Sequence, residues 1–233
     1  MQNMNFTELI NLIENSKGAH VEKRLKELLL MHYIFSSNFN SLIQYIEYAK
    51  KEENAIEIIK TGNSKYFESF TRELTRHFFN YIVSTKAYID QTRRWVNNYY
   101  SETEIEKIYK ELKKEYFENN ELCKFIQDLR NYQEHYMVPF TVYNAKFSTD
   151  KPFEFKISIS KERILRYKEW KKLSLQYITH FDKDILLETF CNDYYQLIEK
   201  FYSKFQESII KYHEKDFKEL NTFKYELKRR FTM

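Results

Sequence analysis

Two glycines and two prolines in 233 residues leave this chain very few places to turn. An all-β sandwich needs a turn signal roughly every 8–12 residues, so a mostly helical fold is what remains. The same scarcity removes glycine-dependent phosphate chemistry. Gly18 and Gly62 stand alone, with no G-x-G-x-x-G dinucleotide loop, no P-loop and no G-x-S-x-G nucleophile elbow. At 42% hydrophobic residues the chain is long enough to build one large core.

Periodicity organises that core. Phe6 to Glu14 reads as a short helix, with a break at Ser16-Lys17-Gly18. Val21 to Lys60 is helical, with Leu25, Leu28, Leu42, Ile46 and Ala49 on apolar faces and Ser36-Ser37-Asn38 as a point of interruption. Thr61-Gly62-Asn63 is a stop signal and Ser64 a cap for the next helix, in which Phe67, Phe70, Leu74, Phe78, Tyr81, Tyr88 and Trp95 recur helically as far as Asn97-Asn98. Ser101 followed by Glu104 matches a capping box. A helix then carries Ile105, Ile108, Leu112 and Tyr116 inward, Glu118-Asn119-Asn120 separates it from another over Glu121 to Met137, and Pro139 forces an exit. Thr141 to Phe147 and Phe153 to Ile159 alternate with period two and read as a β-hairpin. A helix from Ser160 through Leu175, a long helix capped by Asp182 or Asp184, and a charged helical tail from Glu214 complete the chain. The expected architecture is therefore an all-α, antiparallel helical bundle with a small β-hairpin inserted after the Glu121–Met137 helix. It forms a single domain over 1–233: N-terminal helices in 1–60, core helices in 64–138, the hairpin in 140–160 and C-terminal helices in 161–233.

The net charge of +4 permits contact with nucleic acid without requiring it. Cys123 and Cys191 sit within helical patterns, as buried thiols of a reducing compartment do. There is no basic leader and no run of about 18 apolar residues, so the expectation is a cytoplasmic protein with no membrane association. None of the six histidines has a Glu three residues before it, HExxH is missing, and no C-x-x-C occurs, so no metal site and no cofactor is implied.

One segment stands apart: Leu129-Arg130-Asn131-Tyr132-Gln133-Glu134-His135, followed by Tyr136-Met137-Val138-Pro139. On a helix Asn131 and His135 share a face, which lets the amide orient the imidazole. Arg130 lies about 140° round from His135, so the two meet only if the long guanidinium stem reaches across a groove. A permanently charged phosphate binder beside a group titrating near pH 6.5 suits phosphodiester chemistry. Against this stands an ordinary reading, in which Arg130 pairs with Glu134 four residues on.

Arg130-Asn131-x-x-x-His135 resembles the signature of HEPN domains: Arg, a polar residue, three of any kind, then His. These helical modules occur in bacterial toxins, abortive-infection proteins and CRISPR-associated ribonucleases. The resemblance covers about ten residues and extends to the trailing Pro139-Phe140. It implies metal-independent RNA cleavage, in which the ribose 2′-hydroxyl attacks the adjacent phosphate and leaves a cyclic phosphate end. Carried over from that resemblance, Arg130 would bind phosphate, His135 would act as general acid or base, and Asn131 would position them. It also implies a homodimer with two motifs facing one another, a toxin or phage-defence role, and an antitoxin or defence partner. Many HEPN domains lack catalysis, so the alternative is a non-catalytic RNA-binding or dimerisation module.

Arg72 to His77 repeats the Arg–His spacing without the flanking residues and reads as a decoy, although Arg76 or His77 can still line a cleft. Candidate contacts to RNA backbone are Arg76, Arg93, Arg94, Lys171 and Lys172, with weaker ones at Lys110, Lys113, Lys114, Lys168 and Lys228-Arg229-Arg230.

Overall fold

The spacing of the large apolar residues decides which helices pair. The computed structural model describes residues 4–60, 64–139, 141–147, 150 and 152–231. Among these the chain forms α1 (Phe6–Glu14), α2 (Lys17–Lys50), α3 (Glu52–Ile59), α4 (Ser64–Tyr100), α5 (Glu104–Lys113), a π-helical turn (Lys114–Glu118), α6 (Glu121–His135), β1 (Thr141–Lys146) and β2 (Glu154–Ile159). There follow α7 (Lys161–Ile164), α8 (Lys172–Thr179), β3 (Ile185–Leu186), α9 (Leu187–Tyr212) and α10 (Glu214–Phe231). This is the helical bundle with a small β insertion that the sequence implies.

Three long helices make the centre. Trp95 Nε1 donates to the Arg24 carbonyl at 3.0 Å, Phe35 packs on Tyr81 and Tyr88, and Tyr45 stacks on Phe70. That descending register makes α2 and α4 antiparallel. α9 lies alongside both: Phe78 meets Phe190, the Tyr81 hydroxyl donates to the Cys191 carbonyl at 3.0 Å, and Trp95 meets Phe205. α4 and α9 therefore run parallel to each other, and α2 runs against both. Fully buried Tyr81, Tyr194, Phe35, Phe78, Phe190 and Phe205 fill the space between them. A fully buried aromatic side chain contributes about 1.5–3 kcal/mol through burial. Both cysteines are free and buried, and burial pushes the Cys123 thiol up to about 12.

α6 is held on its inner face by aromatics of the segment that follows the hairpin. Phe125 stacks on Tyr177 with centroids 4.9 Å apart, and Tyr132 on Trp170 at 5.7 Å. β1 and β2 pair antiparallel from Thr141 opposite Ile159 to Lys146 opposite Glu154, and β3 adds to the far edge of β2. No helix among the described residues is long and apolar enough to cross a membrane.

Several boundaries depart from the sequence reading. The Ser16–Gly18 break lies at the helix start: Ser16 caps α2 and accepts from the Ala19 N–H. Gly18 is inside the helix because a Cβ there would meet the Asp216 carbonyl oxygen and come within 2.7 Å of Leu220 Cβ on α10. Ser36-Ser37-Asn38 does not interrupt α2, since the Asn38 amide donates to the Ile34 carbonyl at 2.9 Å and stays within the helix. The Thr61-Gly62-Asn63 stop and the Ser64 side-chain cap lie outside the described residues. α4 runs on to Tyr100, leaving three residues to reverse the chain. Glu102 takes a left-handed conformation (φ 62°), and Thr103, not Ser101, occupies the cap position of α5. The stretch after the hairpin is not one helix. It breaks after Ile164 so that Trp170 can bury and donate to the Ile164 carbonyl at 2.6 Å. Neither Asp182 nor Asp184 caps α9, which starts at Leu187; the Asp184 carboxylate accepts from the Lys161 N–H instead. α6 stops at His135, two residues short of Met137.

Candidate functional site

α6 begins where the Asn120 side chain accepts the Cys123 N–H at 3.1 Å, and its inner face buries Phe125, Ile126, Leu129 and Tyr132. This fixes the rotation of its last turn. There the Tyr136 and Met137 N–H groups both donate to the Tyr132 carbonyl, at 2.9 and 3.0 Å, which closes the helix. Buried Pro139 follows two residues later.

The Arg130 guanidinium is half-buried and forms an ion pair with Glu134 at 2.6 Å. Its Nη1 also donates to the Asn131 side-chain oxygen at 3.4 Å. Asn131 is thus brought to Arg130 and not to His135, whose side chain stands exposed at the end of the helix with no hydrogen bond to the described residues. A concentration of unpaired polar atoms marks this turn. Five buried side-chain nitrogens and oxygens among the described residues lack a hydrogen-bond partner, and three of them are Arg130 Nε, the Tyr132 hydroxyl and Gln133 Oε1. Each such group costs about 1–3 kcal/mol, so a cluster of them calls for a functional explanation. Burial also pushes the Tyr132 phenol above its usual range.

Asn131 faces a cleft of about 520 Å³. α4 contributes Lys86, Asp90 and Arg93 to it, α5 contributes Tyr109, Lys110 and Lys113, and the π-helical turn contributes Lys114, Phe117 and Glu118. α6 adds Lys124, Gln127 and Asn131 at helical spacing, and Lys171 completes the lining. Seven cations face two carboxylates here, an excess of five, where the whole chain carries an excess of four. Burial raises the Asp90 carboxyl, but the Lys86 hydrogen bond and the charges of Lys86, Arg93 and Arg94 outweigh it and hold the group below its usual range. Burial pushes the Tyr109 phenol up to about 12, against the pull of Arg93. Lys171 is positioned by buried Asp128, whose carboxylate accepts the Lys171 N–H at 3.0 Å and the Ser174 hydroxyl at 2.7 Å.

The structure thus gathers Asn131, Arg93 and Lys171 on one cleft; Arg130 and His135 do not line it. Lys172 is exposed beside it at the start of α8, and Arg94 acts on Asp90 only through its charge. Arg76 lies elsewhere on α4, bound to Glu73 at 2.6 Å and to His77 at 3.1 Å; burial and the Arg76 charge push His77 below its usual range. Lys86, Tyr109, Phe117, Lys124, Gln127 and Asp128 were not singled out by the sequence. Only Lys124-x-x-Gln127-x-x-x-Asn131, a polar face at helical spacing, carried a signal for part of that set. Among the described residues no cluster of three or more His, Cys, Asp or Glu is arranged to hold a metal ion. The chain matches no family profile, no curated protein and no solved structure.

Proposed function

We propose that the chain is a metal-independent endoribonuclease of HEPN type, acting as a homodimer in a toxin or phage-defence setting with an antitoxin or defence partner. The observation that carries this reading is the motif turn. It joins the resemblance of Arg130, Asn131 and His135 to that family with three buried polar atoms left unpaired on Arg130, Tyr132 and Gln133. In the reaction the 2′-oxygen bonds to the adjacent phosphorus and the bond to the 5′-oxygen breaks, giving a cyclic phosphate and a free 5′-hydroxyl. One proton leaves the nucleophile and another reaches the leaving oxygen. A single exposed His135 per chain supplies one of these roles, and two copies supply both. Arg130 exchanges Glu134 for the phosphate, whose bidentate contact is charge-assisted at two points and offsets the loss of a partly buried ion pair.

The second reading, RNA binding without cleavage, is favoured by the same Arg130–Glu134 pair, which occupies the guanidinium. Incubating wild type, His135→Ala and Arg130→Ala with total RNA and tRNA in excess EDTA separates the two. The nuclease cuts, leaves cyclic phosphate ends, and loses roughly 10²–10⁴ in rate in either variant. Intact RNA with wild type, or equal cutting by His135→Ala, rejects it. A monomer by light scattering rejects the composite site.

A further inference from the structure

No Asp, Glu, Lys or Arg stands between Leu28 and Ile46 on α2, in a chain where 31% of the residues are charged. The inner positions of that stretch are accounted for by the core. Leu28, Phe35, Phe39 and Leu42 are buried, and His32 stacks on Tyr202 and meets Glu199 at 2.6 Å. The outer positions are not. Leu29, Leu30, Tyr33 and Ile34 are each about half exposed or more, Leu30 at 59% and Tyr33 at 64%, on adjoining turns of one helix. A contiguous apolar patch with a polar rim marks a contact surface. We infer that this patch docks onto the same patch of a second copy of the chain, α2 against α2 and antiparallel.

The spacing of the outer face carries the choice of occupant. Lys23, Lys26, Leu30, Tyr33, Ser37 and Asn40 follow alternating steps of three and four, the seam of two paired helices. A twofold axis between positions 31 and 32 sets Leu30 against Tyr33 of the partner subunit and Leu29 against Ile34 of the partner subunit. The patch is therefore complementary to itself, as an isologous contact requires. The same axis sets Lys26 on Ser37 of the partner subunit and Lys23 on Asn40 of the partner subunit, so no lysine meets a lysine. A parallel pair would stack Lys23 on Lys23 and Lys26 on Lys26, which like-charge repulsion opposes. Charge thus selects the direction. Half-exposed side chains of this size leave roughly 100 Å² each, or about 800 Å² for the four on both copies, and the lysine stems with Ser37 and Asn40 bring the pair toward the roughly 1,200 Å² where specific dimers begin. A reversible contact follows. The seam belongs to α2, whereas Arg130, Asn131 and His135 belong to α6, so this contact is additional to one in which two motifs face each other and is independent of what the motif turn does.

Sedimentation equilibrium of the purified full chain from about 1 to 200 µM tests this. The mass of wild type is expected to double across that range. Leu30→Glu and Tyr33→Lys, at exposed positions where circular dichroism checks that the fold is kept, are each expected to weaken association by at least about 10-fold. The double variant Leu30→Glu/Tyr33→Lys is expected to return to within about 3-fold of wild type, because the introduced carboxylate then faces the introduced ammonium across the antiparallel seam. A mixture of Lys26→Cys and Ser37→Cys chains is expected to cross-link with a bis-maleimide of about 8 Å span, and Ser37→Cys alone not to, since those two positions lie roughly 16 Å apart along the pair. The native cysteines are buried and do not compete. A wild-type mass that stays constant overturns the inference and leaves the face to a different partner. Association unchanged in both single variants, or lost in Arg130→Ala or His135→Ala instead, assigns it to the motif turn and overturns the inference equally. Failure of the double variant to recover, or cross-linking of Ser37→Cys with itself, rejects the antiparallel seam.

Discussion

Asp128 is 3% exposed, and one of its oxygens, Oδ2, accepts both the Lys171 N–H at 3.0 Å and the Ser174 hydroxyl at 2.7 Å. The Lys171 ammonium lies 3.7 Å from the other oxygen on a side chain that is 73% exposed, so that ion pair adds little. Hydrogen bonds to an ionised acceptor are worth about 1.5–3 kcal/mol each. Asp128→Ala removes two of them and leaves the fully buried Ser174 hydroxyl unpaired, so a destabilisation of about 3–5 kcal/mol is expected. At about 2–4 °C per kcal/mol for a domain of this length, the lower figure corresponds to a fall in Tm of about 6–12 °C. Asp128→Asn keeps an oxygen in the place of Oδ2 and loses only the charge, so it is expected to cost about half as much. Urea unfolding followed by circular dichroism measures both. A cost below about 1 kcal/mol for alanine, or equal costs for the two variants, refutes the assignment of Asp128 as the clamp that fixes the start of α8.

Gly18→Ala is expected to destabilise by about 1–3 kcal/mol despite the higher helix propensity of alanine, because its Cβ collides with the Asp216 carbonyl and Leu220 on α10; a raised Tm contradicts this. Tyr132→Phe removes a fully buried hydroxyl that has no partner among the described residues, so stability is expected to hold or to rise by under about 1 kcal/mol, and a marked fall in urea unfolding counts against it. The Asp90 carboxyl is held below its usual range in the folded chain, so below a pH of about 4 the unfolded chain binds more protons. Its contribution is full above that pH and is lost as pH falls through the folded value. Lys86→Gln is expected to flatten the acid limb of a stability–pH profile, and an unchanged limb contradicts it.

Helix content was legible because so few residues can end a helix here, and α1, β1 and β2 were legible because each follows one period without competition. What escaped depends on distant contacts. Ser101 looks like a cap in isolation, but α4 continues to Tyr100 because its last turn packs Tyr100 against Trp95 and His213, and the cap position moves to Thr103. Trp170 breaks an otherwise continuous helical pattern because its ring has a place against Phe125 and Tyr132. Arg130, Asn131 and His135 were visible as neighbours in sequence. The cleft was not, since Lys86, Lys114, Lys124 and Lys171 come from four separate segments and a π-helical turn leaves no mark in a 3.6-residue period.

The seating of α9 against α4 has a consequence for biosynthesis. The Tyr81 hydroxyl finds its acceptor 110 residues later in the chain, at Cys191. At about 5–20 residues per second, roughly 5–20 s of translation separate the two. During that interval the newly emerged α2–α4 hairpin lacks the helix that covers its aromatic seam, and transiently exposed surface of this kind is what makes a nascent chain prone to aggregate.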